Sequence, residues 1–396
     1  MPPSFRVASD QDQRAPRRGV LKILSLLALG LWSQVAGWAQ PEATSWKAGA
    51  ASVEISPELP MWMSGYGSRK VPGEKVAAKL YAKALAIEDA AGTTLVFVTA
   101  DLLGFPGRLR QEVGAAVAAR YGLARESLIL NASHTHCGPE LRAVDTSLGE
   151  LDPARTKRVA AYQAQLTQRI ITLVGDALER RVPATLAYGQ AQAGFAMNCR
   201  PDYRFKSPDP RAGKTPNPTG PVDHDVPVLE VKVGGQIQAI VFGYACHNTT
   251  SGDFAFHGDY AGFAQASLEK RYPGAMALFL AGCGADQNPS ARRDIPGRTA
   301  ITLAGLHSQT LALAVEAALG APMQRLAGPL RIGAEVLPPP YLTPPNRAEL
   351  EKRLGSRQEN ERDYARVLLD IFDWMVSSTI SNNPPRLIQP RIRVSR

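Results

Sequence analysis

Seven short apolar runs, many of them β-branched, alternate along this 396-residue chain with four stretches of helical period, and that alternation restricts the fold more than any other feature. The runs occupy residues 51–55, 81–87, 94–99, 127–131, 228–233, 239–245 and 276–281. The helical periods fall at 108–121, 153–180, 260–271 and 299–319. Strands that interleave with helices must bury their faces against them, which gives an α/β class with layered mixed β-sheets flanked by helices. With 44% hydrophobic and 20% charged residues there is apolar material for a large core, so a disordered or fibrous chain is excluded. Residues 202–221 carry five prolines and little period, which predicts a long surface loop. A charged helical pattern covers 347–377, and 382–396 shows no core-facing period.

The formal net charge of +9 invites a nucleic-acid reading, but it is carried by the two ends. Arg6, Arg14, Arg17, Arg18 and Lys22 against Asp10 and Asp12 account for +3, and Arg386, Arg391, Arg393 and Arg396 for a further +4, leaving +2 for the body. No basic face remains that needs a phosphate backbone, so nucleic acid is not expected as a partner. Residues 1–39 read as an export signal: a charged segment, an apolar run from Ile23 to Trp32, then Ala36, Gly37 and Ala39. Paired Arg17 and Arg18 followed by Gly19, Val20, Leu21 and Lys22 resemble a twin-arginine signal. The apolar run is too short to span a bilayer, and a periplasmic or secreted protein is expected. Four cysteines, Cys137, Cys199, Cys246 and Cys283, without a Cys-x-x-Cys pattern, suggest structural or free thiols.

Candidate chemistry gathers where strands end. Ser133-His134-Thr135-His136-Cys137-Gly138-Pro139 follows the run at 127–131 directly, and two extended residues separated by one project to the same side. His247 leaves the end of the run at 239–245, Asp101 that at 94–99, and Asp286 and Asn288 lie in the glycine-rich loop after 276–281. Ligands of open α/β sheets bind at the carboxyl ends of strands, so these four ends are expected to form one site. No Gly-x-Ser-x-Gly elbow, His-Glu-x-x-His pair or dinucleotide fingerprint is present. Gly213-Lys214-Thr215 fails as a phosphate loop, since Pro208 stands where the upstream glycine belongs. Two sequons, at Asn131 and Asn248, read as coincidence. Metal-assisted hydrolysis is the chemistry that remains, because zinc accepts two histidines plus an oxygen ligand and keeps a position open.

Ala48-Gly49-Ala50 with Ile55-Ser56-Pro57, Asp101, the His134–Pro139 element, Asn198-Cys199-Arg200, Val222-Asp223, Cys246-His247, Gly258-Asp259-Tyr260-Ala261-Gly262 and Gly284-Ala285-Asp286-Gln287-Asn288-Pro289 together resemble the neutral/alkaline non-lysosomal ceramidase family in its bacterial branch. The resemblance implies a zinc amidase that cleaves a small lipid amide, ceramide, into a sphingoid base and a fatty acid. Transient contact with a membrane surface is expected, and no transmembrane segment, since no later stretch of the sequence is long and apolar enough to span a bilayer. The resemblance assigns zinc (Zn2+) to His134 and His247, places His136 near the substrate amide and matches Arg200 to an arginine of the site; Asp101 and Asp286, read from their strand ends, are further catalytic candidates.

The family completes its zinc shell with a glutamate and a tyrosine nearer the C-terminus, and their motifs are absent from this sequence. Residues 46–377 are therefore expected to form a ceramidase-like catalytic domain, incomplete at its C-terminal end, with 378–396 an irregular basic tail. Asp101, Asp259 or Asp286 could supply the missing oxygen, but the resemblance places the acidic ligand in a segment this sequence lacks, so a weakly held ion and poor hydrolysis of ceramide are expected. Cys137 stands where relatives often carry serine. Two other readings stay open at this point: a truncated, non-catalytic secreted homologue, and a hydrolase of a different amide or ester.

Overall fold

The computed structural model describes residues 46–67, 69–141, 153–200, 217–335 and 345–358, together with 361–362, 364–366 and 368–369. The export signal, most of the proline-rich loop and the basic tail lie outside the described residues. In chain order the elements are β1 (Trp46–Glu54), β2 (Lys75–Val76), β3 (Tyr81–Asp89), β4 (Thr94–Ala100), α1 (Gly107–Tyr121), β5 (Leu128–Ala132), α2 (Pro153–Glu179), β6 (Val182–Gln192), β7 (Ala196–Asn198), β8 (Asp225–Val233), β9 (Gln236–Tyr244), β10 (Ala255–Phe256), α3 (Asp259–Arg271), β11 (Met276–Ala281), β12 (Gln287–Pro289), α4 (Ala300–Gly320), β13 (Gln324–Leu326) and α5 (Arg347–Leu354).

One mixed sheet runs β11-β9-β8-β6-β1-β3-β4-β5, with β13 added on β6. Only β4 with β5 and β9 with β11 are parallel within it. Strands β1 and β6 pair over just three residues, Trp46 to Ala48 against Ala184 to Val182, so the sheet turns a corner there. Its two halves fold towards each other. Trp46, Ala48, Leu85, Ile87 and Leu95 from one half share a core with Leu186, Val231, Ala239, Val241 and Leu278 from the other. The opposite faces are covered by helices. Val159, Tyr162, Leu166, Ile170 and Val174 of α2 recur every three or four residues and pack with α1 on Ala82, Ala84, Ala86, Val96 and Val98. Leu311 and Val315 of α4 and Tyr260, Ala264 and Leu268 of α3 cover Val226, Val228, Ile240, Phe242, Ala277 and Phe279.

Folding the sheet brings its two edges, β5 and β11, together. The Asn131 side chain acts there as a piece of strand: Nδ2 donates to Ala281 O at 3.2 Å and Oδ1 accepts from Ala281 N at 2.9 Å. Lys83 makes a second tie between the halves. Its ammonium is buried and donates to Glu269 Oε1 at 2.6 Å and Ala277 O at 2.8 Å. Because β4 and β5 run parallel, as do β9 and β11, closing β5 onto β11 sets their C-terminal ends side by side.

One long strand falls outside the predicted runs and one predicted helix is interrupted. Strand β6 was not legible, because Pro183, Gly189 and its glutamines interrupt any apolar run and its inward residues are mostly small. The helical pattern over 347–377 is interrupted after Leu354, where Gly355 follows; the described residues 361–362, 364–366 and 368–369 are helical again, and 370–377 lie outside the described residues. The Asn346 and Glu349 side chains close a capping box at the start of that helix, which fixes where it begins. All four cysteines are free, in agreement with the reading of structural or free thiols.

Candidate metal centre

His134 follows β5 by two residues and takes a left-handed backbone, φ 60°, which is uncommon for a residue with a Cβ and is found where surroundings hold it in place. Its ring supplies the hold: Nδ1 lies 2.7 Å from Leu103 O. His247, three residues past β9, sets its Nδ1 3.0 Å from Gly284 O. A carbonyl only accepts, so in both rings Nδ1 carries the proton and Nε2 presents a lone pair. Those two Nε2 atoms face each other at 3.1 Å, and His136 Nε2 lies 3.4 Å from that of His134.

Two lone pairs at that distance repel unless a cation stands between them. A proton is a poor candidate. Burial first, then the neighbouring His134, holds His247 down to about 4, and burial with His134 and His247 holds His136 down to about 2. A metal ion fits better, since two nitrogens each about 2.0–2.1 Å from one tetrahedral zinc are themselves about 3.3 Å apart. His136 differs from the other two rings: its Nδ1 is buried without a partner, so no hydrogen bond fixes its tautomer.

The loops that carry these rings are stitched to each other. His136 N donates to Asn248 O at 3.3 Å, His257 N to Cys137 O at 3.2 Å, and Thr135 Oγ1 to His257 O at 3.0 Å. Asn248 Nδ2 donates to Gly258 O at 2.9 Å, so both sequon asparagines are engaged in structural hydrogen bonds. From the other side, the Tyr66 ring packs at 4.8 Å from His136. Gly65, with φ 100°, passes so close that a Cβ there would lie 2.5 Å from the His136 ring. Arg69 is buried and donates to the carbonyls of Ser64, His136 and Asp253, fixing the backbone behind His136. Sequence reading missed Gly65, Tyr66 and Arg69, which sit in a segment without apolar period.

The remaining expected residues surround the cluster without entering it. Arg200 Nη2 donates to Ala285 O at 2.9 Å, beside the carbonyl that holds His247. Asp286 Oδ2 accepts from Asn198 Nδ2 at 3.3 Å, and its carbonyl accepts from Cys199 N at 2.7 Å. Asp101 is fully buried; its carboxylate accepts from Tyr81 N at 3.0 Å and Gln265 Nε2 at 3.4 Å, and burial pushes its pKa up. Asp259 accepts from Ser251 N and Tyr260 N at the start of α3. Among the described residues no carboxylate, those of Asp101, Asp259 and Asp286 included, joins the three imidazoles as a metal-type donor. His224 and His307 bond to the carbonyls of Ala196 and Ala291 and are structural.

Residues 47–285 match the family described as neutral/alkaline non-lysosomal ceramidase, N-terminal. The chain belongs to that family. The neutral ceramidase of Drosophila pseudoobscura pseudoobscura is 29% identical over 121 residues, which cover 29% of this chain and 16% of that protein. The neutral ceramidase of Drosophila melanogaster is 28% identical over 102 residues, 24% of this chain and 14% of that protein. The crystal structure of neutral ceramidase from Pseudomonas aeruginosa superposes with a TM-score of 0.60 at 21% identity, covering 72% of this chain and 46% of that one. A ceramidase complexed with C2 aligns equally well, over 45% of its length. The chain thus spans under half of the ceramidases it matches. The ceramidase fold accounts for the large mixed sheet flanked by helices.

Proposed function

We propose that this chain is a zinc-dependent amide hydrolase that cleaves the N-acyl bond of ceramide or a related lipid amide. The observation that carries the reading is the pair of pinned imidazoles, His134 and His247, whose Nε2 lone pairs meet at 3.1 Å. They would hold the ion. Zinc supplies Lewis acidity towards an amide carbonyl and towards water when it is bound. His136, neutral and with an unfixed tautomer, would take a proton from the attacking water at Nε2 and pass that same proton to the departing amine. Arg200 orients the substrate amide from the Ala285 side, Asp286 braces that loop against Asn198 and Cys199, and Asp101 ties the end of β4 to Tyr81 and Gln265. The arginine pair at 17–18 supports export to the periplasm or beyond. Among the described residues no helix is long and apolar enough to cross a membrane.

The test is turnover of a fluorescent short-chain ceramide with added zinc, compared with a short-chain ester and a peptide amide. Zinc-dependent release of the acyl chain from ceramide, lost in His134→Ala, supports the reading. Faster cleavage of either other substrate moves it to a different amide or ester. One observation favours a second reading, a zinc-binding homologue without turnover: no described carboxylate reaches the imidazoles to act as a base. Stoichiometric zinc without turnover of any of the three substrates selects that reading.

A further inference from the structure

Two arginines beside the histidine cluster have charges that no described acid balances. Arg292 and Arg293 follow β12 and are both partly buried. The Arg293 guanidinium stacks over the Tyr66 ring at 4.3 Å, and Tyr66 in turn packs against His136. Its backbone is held for this placement: φ is 64°, and its N donates to Thr250 O at 2.7 Å. Gly252 leaves the space, because a Cβ there would collide with Arg293 Nη1. Arg292 Nη1 donates to Asn288 Oδ1 at 3.2 Å, and Asn288 also accepts from Thr249, two residues from His247. Among the described residues neither guanidinium is ion-paired with a carboxylate, and that of Arg293 makes no hydrogen bond.

Keeping two adjacent, partly desolvated cations unpaired costs stability, and burial with the neighbouring Arg293 already holds Arg292 below its usual pKa. Planar forks with spare donors beside a hydrolytic site suit a planar oxyanion.

We propose that Arg292 and Arg293 form an oxyanion site next to the histidine cluster and bind a carboxylate there, either the acid released on hydrolysis or a carboxylate carried by the substrate. The placement of that carboxylate rests on the amidase reading, but its binding does not require turnover. A product acid held by Arg293 would sit away from the imidazoles, leaving them clear for the next amide. A substrate-borne carboxylate held there would make the site selective for anionic lipid amides.

The probes are octanoate, octanamide and N-octanoylglycine, titrated calorimetrically onto the full chain with zinc chelated. Octanoate should bind at least about tenfold more tightly than octanamide, as one charge-assisted fork predicts. That preference should vanish in Arg293→Gln, recover in part in Arg293→Lys and persist in His134→Ala. Circular dichroism checks that each variant is folded. Octanoate binding tighter than N-octanoylglycine identifies the product acid as the ligand, and the reverse order identifies a substrate carboxylate. A preference lost in His134→Ala but intact in Arg293→Gln, or no preference in the wild type, overturns the proposal. Failure of ceramide turnover with the preference intact overturns the ceramidase reading alone.

Discussion

Replacing each histidine of the cluster in turn should separate ligands from proton carriers, because the rings are held differently. The Leu103 and Gly284 carbonyls fix His134 and His247 with Nε2 lone pairs facing inward, so neither ring must reorganise to bind a cation. Four-ligand structural zinc sites bind with about 10–16 kcal/mol, which averages about 2.5–4 kcal/mol per ligand. Loss of His134 or His247 should therefore weaken zinc by about 10²–10³-fold. His136, with no partner at Nδ1, must first settle its tautomer, and His136→Ala should cost about tenfold or less. The assay is competition with a chromophoric chelator at pH 7.5, with elemental analysis for stoichiometry. Wild type should hold about one zinc per chain. Bound metal should also raise the thermal midpoint, since a ligand at 100 times its Kd adds about 2.7 kcal/mol to the stability of the folded state. Equal zinc in the wild type and all three variants would refute the metal assignment. An His136→Ala loss as large as that of His134→Ala would refute the division of roles and give His136 a place in the ligand set.

Three other perturbations test the framework around the cluster. Gly65→Ala puts a Cβ 2.5 Å from the His136 ring at a backbone φ of 100°, so ceramide turnover should fall at least about tenfold with zinc content unchanged, and full activity would show that the ring has room to move. Asn131→Ala removes two hydrogen bonds joining β5 to β11 and leaves Ala281 N and O unpaired, a loss of about 2–3 kcal/mol in urea unfolding; a loss under about 0.5 kcal/mol would mean that the edges are held by packing alone. The pKa of Asp101 is raised in the folded state, so its contribution to stability is present below the ordinary carboxylate pKa of about 3.9 and is lost as pH rises through the folded value. Asp101→Asn should therefore gain on the wild type in thermal midpoint as pH rises from 4 to 8, and a variant that falls behind at pH 8 would show that the ionised carboxylate is required.

What could be read from the sequence followed how strongly burial writes itself into residue type. Strands β4, β9 and β11 are buried on both faces and read as continuous apolar runs, and the interleaved α1 to α4 declared themselves by period. Strand β6 and the first half of β1 were hidden, because alanine, glycine and proline serve where helices and the corner of the sheet crowd the backbone. The site divides in the same way. His134, His136 and His247 stood out because they leave strand ends, and the folded sheet brings those ends together through the Asn131 tie. No local signal announced Tyr66, Arg69 or Arg293, whose roles exist only once a distant loop packs against the histidines. Asp101 carried a strand-end signal of the same kind, yet it turns its carboxylate into the core towards Tyr81 N and Gln265.

A second group of metal-type donors lies directly behind the first: Cys137 Sγ, Asp253 Oδ1 and His257 Nε2. Their spacing alone would admit a zinc ion, with His257 Nε2 at 3.3 Å and Cys137 Sγ at 3.7 Å from Asp253 Oδ1. Hydrogen bonding excludes it. Asp259 N donates to His257 Nδ1 at 3.0 Å, so that nitrogen must be the acceptor and the proton must sit on Nε2. A ring in that tautomer offers a metal no lone pair at Nε2, and moving the proton to Nδ1 would set two N–H groups against each other. The His257 Nε2–H and the Cys137 thiol instead donate to the Asp253 carboxylate, while Arg69 ties the Asp253 carbonyl to that of His136. Histidine thus offers a lone pair in the front group and an N–H in the rear one, according to which ring nitrogen meets a carbonyl and which meets an N–H. Zinc should accordingly saturate at one equivalent. Cys137→Ser should leave that equivalent in place, with affinity changed by less than about threefold, and cost about 1–2 kcal/mol of stability from the altered buttress. A second zinc equivalent in the wild type that disappears in Cys137→Ser would show that Asp259 N releases His257 and that the rear group binds metal after all.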